Sequence, residues 1–345
     1  MMLVTADDST GATEAGAACA DAGWTVDVVP AGAATSAAAS DCDCTVIDLR
    51  SRHVPADEAR TRIMASTTAS HRVHKIDSTL RGNWSAELGA LVDSGRRVVL
   101  IPSHPRAGRV CAGGVVYVNG RPVAESELGN DPRLPVISSR PSETLPASEL
   151  SGPDDLVAWL ATSTAGVAIV DAMTLEQINE LVAIAMHPPD VVISGPASVV
   201  ESVARLRAPR DAFVVLPDPL LPEPIVVVCA SLHPMSRAQI AMVAQAGVDV
   251  VTSSAEIREE EPERVAIEVA ERAHQLVAAR QASSVVLVGG DTAEAFIGDT
   301  VVRVFGSIDV GVSLGEAEIR GSRLRIASKP GGFGTANTLV DLVTR

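Results

Sequence analysis

Two aspartates, a serine, a threonine and a glycine follow one another in "TADDSTGATEAG", residues 5–16, where an apolar run passes into a helical pattern. Ligands of α/β sheets collect at such carboxyl ends of strands. One of Asp8, Ser9 or Thr10 is enough to cap the helix. Adjacent Asp7 and Asp8 exceed that need, and a carboxylate there could accept the proton of a substrate hydroxyl. A second junction of this kind carries "KIDSTLRGN", residues 75–83. Asp77 and Ser78 could cap a helix, but Lys75 and Arg81 have no such use. Together with Thr79 they predict an electropositive, hydrogen-bonding pocket for a small polyhydroxylated acid. Each charge-assisted bond in such a pocket is worth about 1.5–3 kcal/mol. Arg52, at the end of another apolar run, is a third candidate cation.

The last third offers three loops of a different character: "CASLHPMSRAQ" with Ser231, "VGGDTAEAF" with Gly289, Gly290, Asp291 and Thr292, and "KPGGFGTANTL" with Lys329, Gly331, Gly332, Phe333 and Gly334. Glycine turns that feed helix N-termini present backbone N–H groups to phosphates. Three such loops together point to a nucleotide. GxxxxGK[ST] is absent, and so is GxGxxG after the first strand, which disfavours a P-loop and a standard dinucleotide fold. Of 28 basic residues only Lys75 and Lys329 are lysines. Both lie in these polar motifs, where a compact, rotatable ammonium suits the chemistry better than a planar guanidinium.

The elements that must position these residues follow from apolar periodicity. "MLVTA", "WTVDVV", "CTVIDL", "RRVVLIP", "GVAIVDA" and "DVVISG" read as strands, with helical patterns over 11–23, 55–67, 83–95, 175–186 and 197–207 between them. This alternation predicts an α/β fold of two domains with mostly parallel sheets and an active-site cleft between them. Asn119-Gly120 between apolar runs predicts a hairpin. "LPDPLLPEP", residues 216–224, reads as a proline-rich linker. It divides an N-terminal domain, 1–215, from a C-terminal one, 225–345, where strands and helices resume.

A formal net charge of −15 argues against a nucleic-acid surface. The apolar runs are too short to span a bilayer, and no signal peptide is evident, so cytoplasm is the expected location. Five cysteines without CxxC pairs suggest neither a disulfide framework nor a zinc ribbon. His71 and His74 form the one close histidine pair, and metal ligation is not expected of them.

Taken together, the motifs resemble the four-carbon acid sugar kinase family, whose pattern is "ADDxTGA", "KxDSTLRGN", "PxxPxxGR", "GGDTA" and "K-x-GGFG". Here they stand as "ADDSTGA", "KIDSTLRGN", "PSHPRAGR", "GGDTA" and "KPGGFG", in order from residue 6 to residue 334, and "DPRLPVISS" fits as well. The resemblance implies ATP-dependent phosphorylation of threonate, erythronate or an oxo-tetronate at its terminal hydroxyl. It assigns the sugar acid to the N-terminal domain, with Asp7, Asp8, Arg52, Lys75, Asp77, Ser78, Thr79 and Arg81. ATP goes to the C-terminal domain, with Ser231, Gly289 to Thr292 and Gly331 to Gly334. The family usually carries Gly-Ser where this chain has Ala230-Ser231.

On this reading Asp8 or Asp77 takes the hydroxyl proton, Asp291 holds Mg²⁺, and Lys329 with the GGFG amides steadies the β/γ-phosphates. Closure across the proline linker excludes water. Two alternatives are a non-catalytic sugar-acid or nucleotide binder and an NAD-dependent sugar-acid dehydrogenase. The latter lacks its glycine fingerprint. Neither a nucleic acid nor a membrane is an expected partner, and enzymes of this size often form homodimers.

Overall fold

The computed structural model describes residues 1–33, 42–66, 72–131, 133–208, 216–254 and 261–344. The first half runs β1 (Met2–Ala6), α1 (Ser9–Asp21), β2 (Val26–Pro30), β3 (Cys44–Asp48), α2 (Ala56–Ser66), β4 (Val73–Lys75), α3 (Trp84–Asp93) and β5 (Arg97–Leu100). A small meander follows, β6 (Arg109–Ala112), β7 (Val115–Val118) and β8 (Arg121–Pro122). Then come β9 (Ser148–Leu150), α4 (Pro153–Thr162), β10 (Gly166–Val170), α5 (Leu175–Ala185), β11 (Val191–Gly195) and α6 (Ala197–Leu206). The second half comprises β12 (Ile225–Cys229), α7 (Pro234–Gln245), β13 (Asp249–Thr252), α8 (Pro262–Arg280), β14 (Ser284–Val288) and α9 (Gly290–Ile297). It ends with β15 (Val302–Asp309), β16 (Val312–Ile319), β17 (Ser322–Lys329) and α10 (Thr338–Val343).

All strands outside the meander join one 14-stranded sheet, ordered β13-β12-β14-β17-β16-β15-β2-β3-β1-β4-β11-β5-β10-β9. From β2 to β9 every pair is parallel, as are β13, β12, β14 and β17. The fold is therefore α/β and mostly parallel, as alternation of apolar runs and helical patterns predicts. Its two parallel blocks are joined by the antiparallel strands β15, β16 and β17. The seam is the β15–β2 pair, in which Arg303 faces Asp27 and forms an ion pair with its buried carboxylate. This ladder ties the halves together directly, so the proline segment 216–224 is not the sole connection between them.

Helix α1 fills the space beside that seam. Its sequence is almost all Ala, Gly, Ser, Thr and Cys, and Ser9 through Thr13 and Ala15 through Ala20 are buried. Small side chains let strands approach closely: a Cβ added to Gly16 would lie 3.0 Å from Val28 and 3.2 Å from Val304. Glu14 is the one charged residue within this buried run.

Asn119 and Gly120 take φ of 50° and 80° and turn β7 into β8, with Val118 facing Arg121, as the dipeptide predicts. Strand β16 escapes sequence reading because "VSLGEAEI" mixes glycine and glutamates into its apolar pattern. It becomes a strand by pairing on both sides. Gly315 is needed there, since a Cβ would sit 2.8 Å from the Arg303 carbonyl oxygen.

Candidate functional site

Asp8 caps α1, its Oδ1 accepting from the Gly11 N–H at 2.8 Å. Arg52 then binds both members of the aspartate pair: Nε donates to Asp7 Oδ2 at 2.8 Å and Nη1 to Asp8 Oδ2 at 2.6 Å. Burial raises the Asp8 carboxyl above its ordinary value, against the pull of Arg52 and Lys75. Lys75, at the end of β4, reaches back over α1. A Cβ at Gly11 would lie 2.5 Å from its Nζ. Its partner is Glu14, 3.4 Å away. Burial works against the Lys75 charge, yet Glu14, Asp7 and Asp8 hold it above the ordinary lysine value.

The turn after β4 is organised by Asp77 rather than used as a helix cap; α3 begins at Trp84 with Asn83 as its N-cap. Arg81 grips Asp77 with two parallel bonds, Nε to Oδ2 at 2.9 Å and Nη2 to Oδ1 at 3.0 Å. The Thr79 hydroxyl and the Thr79 and Arg81 N–H groups also donate to Oδ2. Burial alone would raise this carboxyl, but Arg81 and Arg52 hold it well below the usual carboxylate range. Leu80 takes φ of 64°, a costly conformation for a branched side chain, in the middle of this turn. Ser78 is half-buried beside it.

The expectation of an electropositive pocket is therefore corrected. Lys75, Arg52 and Arg81 are each matched by carboxylates, so the motif builds a lattice of paired charges. Arg109, from "PSHPRAGR", differs. It makes no ion pair among the described residues, its Nε is buried without a hydrogen-bond partner, and its guanidinium lies 5.1 Å from the centroid of the Phe333 ring. It thus spans from the first half to the GGFG loop of the second.

A buried polar network supports this lattice from below. Thr5 Oγ1 meets His74 Nδ1 at 2.8 Å, and His74 Nε2 meets Glu87 Oε2 at 3.1 Å. Glu87 accepts from the Ser51 hydroxyl, while the Ser51 and Arg52 N–H groups bind the Asp7 carbonyl. The network fixes the loop that carries Arg52. His71, the other member of the close histidine pair, lies outside the described residues.

On the second half, Gly289 (φ 99°) and Gly290 start α9, and the Gly289 N–H donates to the Lys329 carbonyl at 2.8 Å. Thr292 is buried, its hydroxyl accepting from the Ala230 N–H at 3.0 Å. Added Cβ atoms at Gly331 would stand 3.4 Å from the Ser231 hydroxyl and 3.3 Å from that of Ser236. The loops after β12, β14 and β17 thus form one cluster. Lys329 is fully buried and its ammonium donates to the carbonyls of Pro330, Gly331 and Phe333 at 2.6, 3.3 and 2.6 Å. Burial brings it down to about 8. Its donors hold the GGFG turn in shape and are turned to that turn rather than to open space.

The two halves meet at Asp8. A Cβ on Gly290 would lie 2.7 Å from Asp8 Oδ2 and 3.6 Å from Thr10 Oγ1. Thr10 Oγ1 and Asp7 Oδ1, beside it, are buried without hydrogen-bond partners among the described residues. Asp291, next in sequence, faces Arg133 Nη1 at 2.6 Å and His53 Nε2 at 3.6 Å. Among the described residues no three His, Cys, Asp or Glu side chains are grouped to hold a metal. A divalent cation here would rest on Asp291 and on the phosphates it accompanies.

Sequence reasoning gave no role to several residues at this junction: Glu14, Asp48, His104, Asp131, Arg133 and Glu294. Glu14 had a legible signal, a lone charge inside an Ala/Gly helix. His104 hydrogen-bonds Ser198 through Nδ1, and its buried Nε2 lies 3.9 Å from Glu14. Asp48 and Glu294 become neighbours only through the fold. Burial raises them to about 6 and about 7, with Arg50 between them.

Residues 2–203, well over half of the chain, match the family model of a sugar-binding N-terminal domain. Among curated proteins, the D-threonate kinase of Salmonella typhimurium is 29% identical over 262 residues, 69% of this chain and 60% of that kinase. The D-threonate kinase of Bordetella bronchiseptica is 26% identical over 98% of this chain and 95% of its own length. The 3-oxo-tetronate kinase of Methylobacterium radiotolerans is 30% identical over 56% of this chain and 49% of that enzyme. The chain thus spans less than two thirds of the Salmonella and Methylobacterium enzymes. A crystal structure from Bordetella bronchiseptica, described as a domain of unknown function with bound citrate and a domain-swapped dimer, is 26% identical with a TM-score of 0.55. It covers 99% of this chain and 96% of that one. No helix among the described residues is long and apolar enough to cross a membrane. With the sugar-binding model over its first half and sugar-acid kinases aligned along its length, the chain belongs to the four-carbon acid sugar kinase family.

Proposed function

We propose that this protein transfers the γ-phosphoryl group of ATP to the terminal hydroxyl of a four-carbon sugar acid, of the threonate, erythronate or oxo-tetronate class. The observation that carries the reading is the contact of Asp8 with Gly290. It sets a buried carboxylate of the sugar-binding half against a phosphate-type turn of the other half. The relatives named as D-threonate and 3-oxo-tetronate kinases supply the substrate class.

Asp8 accepts the hydroxyl proton as the hydroxyl oxygen bonds to the γ-phosphorus and the β–γ bridging P–O bond breaks, releasing ADP. Its raised carboxyl suits a general base. Asp77 suits that role poorly, because two arginines hold it ionised and its lone pairs are taken. It keeps Arg81 and the turn in place. Arg52 and Lys75 orient the acid from a frame of paired charges, and Arg109, which has no ion pair among the described residues, meets an anionic group. The N–H groups at Gly289–Thr292 and Gly331–Gly334, with Ser231, receive the phosphates. Lys329 shapes the last of these loops from beneath. Mg²⁺ bound at Asp291 would neutralise phosphate charge; positioning and neutralisation supply most of the catalysis in phosphoryl transfer.

ADP release measured by a coupled assay, with ATP, Mg²⁺ and each four-carbon acid in turn, tests the reading. Turnover with at least one of them is expected. ATP and acid that bind without ADP release would leave a silent binder instead. Assembly as a homodimer and residence in the cytoplasm belong to the same proposal.

A further inference from the structure

One line of charges runs from the sugar-acid lattice to the nucleotide-side turn through the loop that carries Asp131 and Arg133. Asp77 is gripped by Arg81, whose Nη1 lies 3.3 Å from Asp131 Oδ2. The other oxygen of Asp131 accepts the N–H groups of Arg133 and Leu134 at 2.9 and 3.1 Å, which fixes the chain direction there. The Arg133 side chain then crosses to the second half, where it bonds Asp291 at 2.6 Å and also pairs with Glu263. His53 approaches the other Asp291 oxygen at 3.6 Å. Every link is at most half exposed except Glu263, so the middle of the line is shielded from full solvent screening.

The β15–β2 ladder and α1 hold the two halves in register. Arg133, by contrast, joins the Asp131 loop to the second half through a single side chain. We propose that Arg133 is a coupling residue that makes binding of the sugar acid and of the nucleotide mutually favourable. This rests on the kinase reading above. An acid seated on the Arg52–Asp77–Arg81 lattice fixes Arg81, hence Asp131, hence Arg133 upon Asp291. The GGDTA turn is then already ordered when the nucleotide arrives, and the second ligand does not bear that ordering cost. Because binding linkage is reciprocal, each ligand tightens the other by the same factor.

Calorimetric titration of the full chain with the ATP analogue AMP-PNP and Mg²⁺, without and with saturating D-threonate or D-erythronate, tests this, together with the reverse titrations. In the native chain one acid should tighten AMP-PNP about fivefold or more, the lower end of ordinary coupling, and AMP-PNP should tighten that acid equally. Arg133→Ala should bring the factor to about one while each ligand alone binds within about threefold of native. Arg133→Lys should retain part of the coupling, and Asp131→Asn, which leaves the Arg133 side chain in place, should lose most of it. Native coupling that persists in Arg133→Ala and Asp131→Asn, or its absence from the native chain, overturns the proposal while leaving the kinase reading intact. A native chain that binds neither AMP-PNP nor either acid overturns both.

Discussion

Asp8 and Gly290, from the first and the last third of the chain, are packed so closely that a single methyl group on the glycine would stand 2.7 Å from the carboxylate. Neither partner can retreat easily, since Asp8 is held by Arg52 and the Gly11 N–H, and Gly290 begins α9. Gly290→Ala should therefore fold with a loss of about 1–3 kcal/mol, the usual cost of overpacking. Turnover should fall about a hundredfold or more, because a shift near 1 Å at reacting groups carries that penalty. Denaturant midpoints and steady-state rates on the same preparation check both. A fully active variant would show that the contact plays no part in positioning.

Asp77 should matter to stability first. Asp77→Asn leaves Arg81 and Arg52 short of a buried counter-charge, and breaking such a pair costs about 3–5 kcal/mol. Arg81 keeps some solvent contact, which trims the figure to about 2–4 kcal/mol. Because the folded pKa is depressed, this contribution is present above the unfolded aspartate value and fades as pH falls through the folded one. A difference in unfolding free energy between native and variant that does not shrink in acid would contradict the assignment.

Asp48 and Glu294 act with the opposite sign. Their folded values, about 6 and about 7, exceed the ordinary 3.8 and 4.5, so the native state binds more protons between roughly pH 4 and 7. Their contribution is full below that window and is lost as pH rises through it. For the well-buried Asp48 this amounts to at most about 3 kcal/mol. The Tm of native protein should fall between pH 5 and 8 relative to the Asp48→Asn, Glu294→Gln double variant. Parallel Tm profiles would refute the pairing of these two groups.

Lys329 is predicted to be a loop-shaping residue. Lys329→Met removes three donors and leaves buried carbonyls unsatisfied, which should cost about 1–3 kcal/mol. AMP-PNP affinity should drop while sugar-acid affinity stays near native, since the Lys329 ammonium donates to the carbonyls of the GGFG turn. Isothermal titration of both ligands separates this from a direct role at the acid. Equal loss of the two affinities would place the defect elsewhere.

The strands around the site were legible because buried parallel strands are nearly continuous Val, Ile and Leu runs. The clustering of ADDSTGA with KIDSTLRGN was legible too, since polar residues concentrated at strand ends have few other uses. The pairing of charges was not. Nothing in "KIDSTLRGN" states that Arg81 turns back on Asp77, or that Glu14, on a helix of alanines, meets Lys75. Arg133 and Asp291 are 158 positions apart and meet across the junction of the two halves, where β15 pairs with β2. That seam joins two antiparallel strands with short registers, and no local pattern encodes which edge will accept which. Lys329 was marked by its rarity, but burial decides the direction its ammonium takes.

Direct detection of phosphorylated four-carbon acid by mass spectrometry, after incubation of native and Asp8→Asn protein with ATP and Mg²⁺, bears most closely on the central claim. The native protein should form the phosphorylated acid. Asp8→Asn, still folded and still binding AMP-PNP, should form it about a hundredfold to ten-thousandfold more slowly, the span of a lost general base. Equal product from both proteins, or none from the native chain with any four-carbon acid, would contradict it.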